Sequence, residues 1–208
     1  MKVRAGLDHE IILQAATKLV DEYGLGQLTM VILAAQLKVR PPTLYHYFGG
    51  LAGIRRFLAL QGLHEVAGRL GRAVMGLSGD EAIIALTYAL CDFAREHPGL
   101  YEATTRSAEA TDSEWQAAGL AVVDVGVRAL SAYNLTLDDA LHMIRILRSI
   151  VHGWVTLNNA GGFALPLDKD ETFRRLMDIV LLYLHTQFQR TNKEKSDEGR
   201  KTGNSHEI

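Results

Sequence analysis

A chain of 208 residues, 48% of them hydrophobic, has enough apolar side chain for a real core, and its single cysteine, Cys91, excludes an internal disulfide. No run of eighteen residues is apolar and uninterrupted by charge, and Met1-Lys2-Val3-Arg4 leads straight into an amphipathic pattern with no apolar signal core, so a folded cytoplasmic protein is expected. The net charge of -2 hides an asymmetry: residues 1–57 hold seven Lys/Arg against four acidic residues, or +3, which leaves -5 for the remainder and describes a basic head on an acidic body.

In chain order, Ile11, Ile12, Ala15, Ala16, Leu19 and Val20 recur at helical spacing within residues 7–23, with Asp8 placed to cap the start and Gly24 and Gly26 ending the run. Thr29 supplies a second N-cap ahead of Val31, Ile32, Ala34, Ala35 and Leu37, and Pro41-Pro42 stops that helix near Val39. In a first turn the missing proline N–H would be unpaired anyway, so the same two prolines open a third short helix that lasts to Tyr47 and ends at Gly49-Gly50.

Beyond Leu51 the helices lengthen, at about 51–76, 79–96, 112–133, 137–160 and 170–190, with breaks at Ser78-Gly79, His97-Pro98-Gly99, Asn134 and Gly161-Gly162. No segment alternates like a strand. Residues 191–208 hold one large aliphatic side chain and predict a disordered tail. The expected fold class is all-α: a three-helix helix-turn-helix domain over residues 1–50, joined to a larger helical bundle over 51–190.

Two short helices joined by a tight connection around Lys38 to Arg40 match the helix-turn-helix arrangement, whose second helix enters the DNA major groove. Methyl and methylene carbons of Pro41, Pro42 and Thr43 suit thymine methyl groups, and Tyr45, His46 and Tyr47 offer flat side chains with polar tips for phosphate or base-edge contact. Leu44 and Phe48 face inward. Lys2 and Arg4 form either a minor-groove arm or a solvated terminus.

The stretch LTMVILAAQLKVRPPTLYHYF, from Leu28 to Phe48, resembles the DNA-binding domain of tetracycline-repressor-type (TetR family) transcriptional regulators. Thr29, Ala34, Leu37, Val39, Pro42, Thr43, Leu44, Tyr45 and Phe48 fall where that family's pattern has them, and the similarity covers about residues 7–57. REHPGLYEATTR and IVHGWVTLNNAGGF are similar to the subgroup whose regulatory domain is named WHG. The chain departs from the pattern at Val31, where Arg is frequent, at Lys38, where the turn usually has Gly, and at Leu51, which replaces a phosphate-contacting Lys.

The resemblance implies a repressor that grips double-stranded DNA at an inverted-repeat operator through Thr29, Lys38, Arg40, Pro41, Pro42, Thr43, Tyr45, His46 and Tyr47. It implies a homodimer through the last two helices, where Val151, Val155, Leu157, Phe173, Leu176, Ile179, Val180, Leu182, Tyr183 and Phe188 cover more than one helical stripe. It also implies a small-molecule effector within the helical body, for which Tyr101, Arg106, Trp115, Arg148, His152 and Asn158 are the candidate contacts. Arg145, Arg148 and His152 share one helical face, which suits an anion if it points inward and a solvated rim if outward. For His152 a buried, hydrogen-bonded structural role is favoured over ligand contact, and Gly153 calls for close packing or approach of a ligand.

No H-x-x-x-H pair, nucleophile elbow, phosphate-cradling glycine loop or cysteine cluster occurs, so no catalytic residue, metal ligand, cofactor or membrane partner is assigned. The alternatives are a protein-interaction module with a degenerate helix-turn-helix and, behind it, a small all-helical enzyme.

Overall fold

The computed structural model describes residues 7–106 and 110–203, with side chains described as far as residue 187 and at residue 189. Lys2, Arg4, the side chain of Phe188 and residues 204–208 lie outside the described residues. Among those described there is no strand, and nine α-helices follow in order: α1 His9–Tyr23, α2 Met30–Leu37, α3 Pro41–Phe48, α4 Leu51–Ala73, α5 Gly79–Glu96, α6 Pro98–Ala103, α7 Ser113–Ala129, α8 Leu137–Asn159 and α9 Lys169–Gly203.

Local chemistry sets most of these limits. The Asp8 carboxylate accepts from the Ile11 N–H at 2.8 Å, the Thr29 hydroxyl from the Ile32 N–H at 3.1 Å and the Thr136 hydroxyl from the Asp139 N–H at 3.1 Å, each satisfying a donor that the helix itself leaves open. At the other end, α1 stops at Gly24 (φ 87°) and α3 at Gly49 (φ 66°), conformations in which a Cβ is strained.

Three limits differ from the sequence reading. His97-Pro98-Gly99, read as a break, opens α6: Pro98 occupies its first position, and the Asp21 carboxylate of α1 accepts from the Gly99 and Leu100 N–H groups at 3.0 Å each. α7 ends at Ala129, and a 3-10 turn Ser131–Tyr133 leads to Asn134 in the left-handed region. The backbone of α9 continues to Gly203, whereas a disordered tail was expected from Thr191. Once a helix is nucleated each further residue adds a hydrogen bond, and the Lys, Glu and Arg residues there are good helix formers.

The chain divides into two compact units. The first comprises Met1–Arg69 and Asp92–Val122, the second Leu70–Cys91 and Val123–Ile208, so the division falls within α4, α5 and α7.

In the first unit α1 packs on α2 and α6, and α2 on α3. Its core holds Ile12, Ala16, Leu19 and Val20 of α1, Leu33 of α2, Leu44 of α3, Ile54 and Leu58 of α4, and Leu100 of α6, all essentially inaccessible. Two glycines permit close approach. A Cβ on Gly99 would sit 2.1 Å from the Val20 carbonyl oxygen, and one on Gly62 would sit 2.6 Å from the Thr104 methyl and 3.0 Å from the Leu100 carbonyl oxygen. Arg56 forks onto Asp112 at 2.5 and 2.8 Å and reaches Glu114 at 2.7 Å, fixing the start of α7 to α4.

In the second unit Phe173 is wedged between Tyr88 and Trp154, with ring centroids 5.2 Å from each, and Trp154 stacks on Phe163 at 4.9 Å. The Tyr133 hydroxyl and the His185 ring both meet Asp80 Oδ1, at 2.5 and 2.9 Å, which joins the start of α5 to the 3-10 turn and to α9.

Candidate nucleic-acid interface

Each short helix of the head divides cleanly into a buried and an exposed face. In α2, Met30, Leu33 and Ala34 are buried while Val31, Ile32, Ala35 and Gln36 are exposed; in α3, Leu44 and Phe48 are buried while Pro42, Thr43, Tyr45 and His46 are exposed. Eight residues make two turns, so the buried pair Leu44 and Phe48, spaced i and i+4, settles which side of α3 is open to a ligand.

The connection is held by the backbone. Lys38 adopts φ 57°, ψ 39°, its N–H donates to the Ala35 carbonyl at 3.1 Å, and the Val39 N–H donates to the Ala34 carbonyl at 3.0 Å, the crossed pair of bonds of a left-handed helix end. A lysine accepts here a conformation that glycine adopts freely, and its exposed ammonium stands two residues from the exposed Arg40. These two supply the positive charge of the turn that phosphate contact requires.

Of the residues read from the sequence as DNA contacts, Thr29, Lys38, Arg40, Pro42, Thr43, Tyr45 and His46 are exposed, and Pro41 and Tyr47 are half-buried. They are brought together on α3, its preceding turn and the start of α2. Tyr47 is committed inward: its hydroxyl donates to the Leu7 carbonyl at 2.7 Å, and its own carbonyl lies 3.1 Å from His9 Nε2. It pins the end of α3 to the start of α1, and its ring meets His9 edge-on at 5.3 Å. Arg56, in its fork on Asp112 and Glu114, is held cationic more firmly than an ordinary arginine, and it lowers the Asp112 carboxyl in turn.

The six candidate effector contacts do not converge in one unit. Tyr101, buried on α6, Arg106, exposed just after it, and Trp115 belong to the first, where Trp115 packs against Leu60, Leu63 and Ala118. Arg148, His152 and Asn158 line α8 in the second unit, and Asn158 accepts from Lys169 Nζ at 2.8 Å. His152 is exposed, which corrects the expectation of a buried histidine: the inward face of α8 is filled by Met143, Leu147, Val151, Trp154 and Val155. Arg145 and Arg148 share its outward side.

The sequence reading missed Asp21. Its carboxylate accepts two α6 N–H groups and lies 2.8 Å from His97 Nδ1, at one wall of a cleft of about 540 Å³ shared with Thr17, Lys18 and Gln61. No local pattern announces a cap delivered from 78 residues away; the one available signal is that Pro98-Gly99 suits a helix start lacking a capping side chain of its own.

Residues 12–55 match the family model for bacterial regulatory proteins, tetR family, and residues 83–180 match the tetracyclin repressor-like C-terminal domain. An uncharacterized HTH-type transcriptional regulator of Bacillus subtilis, YobS, is 32% identical over 158 residues, 76% of this chain and 82% of that protein. Among solved structures, a protein of unknown function from Rhodococcus sp. RHA1 superposes with a TM-score of 0.71 at 22% identity, covering 87% of this chain and 97% of that one. A TetR variant from Acinetobacter baumannii AYE, in complex with minocycline, superposes with a TM-score of 0.65 at 20% identity, covering 87% and 98%. With a helix-turn-helix head exposed on α3 and these likenesses along most of its length, the chain belongs to the tetR family of bacterial regulatory proteins, and it is a DNA-binding transcriptional regulator and not an enzyme.

Proposed function

We propose that the protein is a homodimeric repressor that covers an inverted-repeat operator with one α3 from each protomer and releases it when a small molecule binds in the helical body. In this reading residues 1–50 are the DNA-binding head and 51–190 the effector-binding and dimer-forming body. Thr29, Lys38 and Arg40 meet phosphate; Pro41, Pro42, Thr43, Tyr45 and His46 face the groove, and Tyr47 steadies α3 from behind.

The observation that carries the dimer is an apolar stripe left open on the last two helices. Ile146 and Leu157 on α8, and Ile179, Leu182 and Tyr183 on α9, are 41–68% exposed. Gly153 lies between Ile146 and Leu157 at helical spacing, and among the described residues nothing comes within 4 Å of where its Cβ would be, so the stripe has a notch where another helix can approach closely. A two-fold dimer through this face sets two reading helices on half-sites one DNA turn apart or a multiple of it.

Effector release is supported by likeness to a fold whose Acinetobacter member was solved with minocycline. The route runs through α6, which touches α4 at Gly62 and α1 at Asp21, so displacement of α6 inside the body disturbs the seat of the head. Tenfold derepression requires about 1.4 kcal/mol of coupling.

Enrichment of random duplexes at about 100 mM salt, with sedimentation of the free protein, tests the proposal. An inverted repeat and a dimer mass are expected. A monomer at micromolar concentration removes the dimer, and a folded dimer that enriches no duplex even at low salt turns the head into a protein-interaction module.

A further inference from the structure

The two helices of the reading head carry no formal charge. MVILAAQL of α2 and PPTLYHYF of α3, eight residues each and sixteen together, contain no Lys, Arg, Asp or Glu. The commonest specific base contact, an arginine fork on guanine, is therefore absent from both helices. In its place the first turn of α2 exposes two adjacent β-branched apolar side chains, Val31 at 66% and Ile32 at 44%, and the first turn of α3 exposes Pro42 and the methyl-bearing Thr43. Neither Val31 nor Ile32 serves the core of its helix, which Met30, Leu33 and Ala34 complete, and both are poorer helix formers than the Ala, Gln or Lys that an ordinary exposed position would tolerate.

We propose that Val31 reads a thymine through its 5-methyl group, so that this head selects its site by methyl contacts shared among Val31, Pro42 and Thr43 in place of a guanine-directed arginine. The inference rests on the DNA-binding reading above. The 5-methyl of thymine is the one apolar group that base edges present in the major groove, and no hydrogen-bond geometry is needed to recognise it. Lys38 and Arg40 in the turn supply the phosphate attraction and leave discrimination to the uncharged helices.

The test takes the enriched duplex and replaces its thymines one at a time by uracil, which removes only the methyl. At one position in each half-site affinity falls about fourfold, the effect of withdrawing one buried methyl. In Val31→Ala that same replacement has no further effect, while in Val31→Arg the preferred base there changes to guanine. Val31 is exposed, so both variants fold, as unchanged melting would record. A wild type that binds its duplex with equal affinity whether each thymine is intact or replaced overturns this inference alone; a wild type that enriches no duplex overturns the DNA-binding reading and this inference with it.

Discussion

Lys38 holds a strained conformation whose return, in the proposed function, is a phosphate contact. A non-glycine residue in the left-handed region costs about 1 kcal/mol or more, and Lys38 stays there because the Ala34 and Ala35 carbonyls depend on that bend for their partners. Lys38→Gly is therefore expected to raise stability by about 1 kcal/mol, read as a higher midpoint in chemical denaturation. The same variant is expected to bind its operator less tightly, with a log–log salt slope smaller by about 1 per protomer, since one phosphate contact is gone. A variant that gains stability with its salt slope unchanged places the ammonium away from the backbone. In the proposed reading Val31 and Lys38, which both depart from the family pattern, have different consequences: one alters what is read, the other how firmly the groove is held.

At the scale of elements, stability gathers where a carboxylate meets donors from another helix. Asp21 serves α6 as a capping residue would, so Asp21→Ala is expected to cost about 2–3 kcal/mol, while Asp21→Asn, which keeps an acceptor oxygen, costs less than half of that; thermal melts of both variants decide it. Asp80 is the second case. The Tyr133 hydroxyl, and after it His185, hold its carboxyl below the usual aspartate range. A depressed carboxyl contributes stability that is present above the unfolded value, about 3.9, and is lost as the pH falls through the lower folded value. Tyr133→Phe removes the larger of these supports, so wild type and variant are expected to differ in melting temperature at pH 7 and to converge toward pH 3.

The caps at Asp8 and Thr29 and the stops at Gly24 and Gly49 were legible because each depends on residues within one turn. The buried and exposed faces of α3 were legible for the same reason, from spacing alone. Asp21 was not, since its partners lie 78 and 79 residues away, and the Pro98-Gly99 pair looks identical as a break or a beginning. His152 misled in a related way: its face of α8 is decided by the neighbours Val151, Trp154 and Val155, which take the inward side and turn it out. Tyr47 reads as a groove residue from its spacing, and only the position of Leu7 shows that its hydroxyl is already engaged.

For the whole molecule, the open stripe on α8 and α9 makes assembly testable without touching the core. Among the described residues nothing crowds a Cβ on Gly153, and leucine is a better helix former by about 1 kcal/mol, so Gly153→Leu is expected to leave the protomer at least as stable. Filling the notch is expected to weaken self-association at least tenfold, with operator affinity falling alongside because half-sites must then be bound singly. Sedimentation equilibrium and melting, run on the same sample, separate this from simple misfolding. A variant as dimeric as the wild type moves the interface away from this face.

The Asp21 joint also places a ceiling on how strongly any effector can induce. If the signal reaches the head by parting Asp21 from the Gly99 and Leu100 N–H groups, its leverage is limited by what that joint is worth, the same about 2–3 kcal/mol expected to be lost in Asp21→Ala. The induction ratio then saturates between about thirtyfold and about 150-fold per joint, however tightly the inducer binds. Reciprocity imposes the same limit in the other direction, so operator DNA can weaken the inducer by no larger a factor.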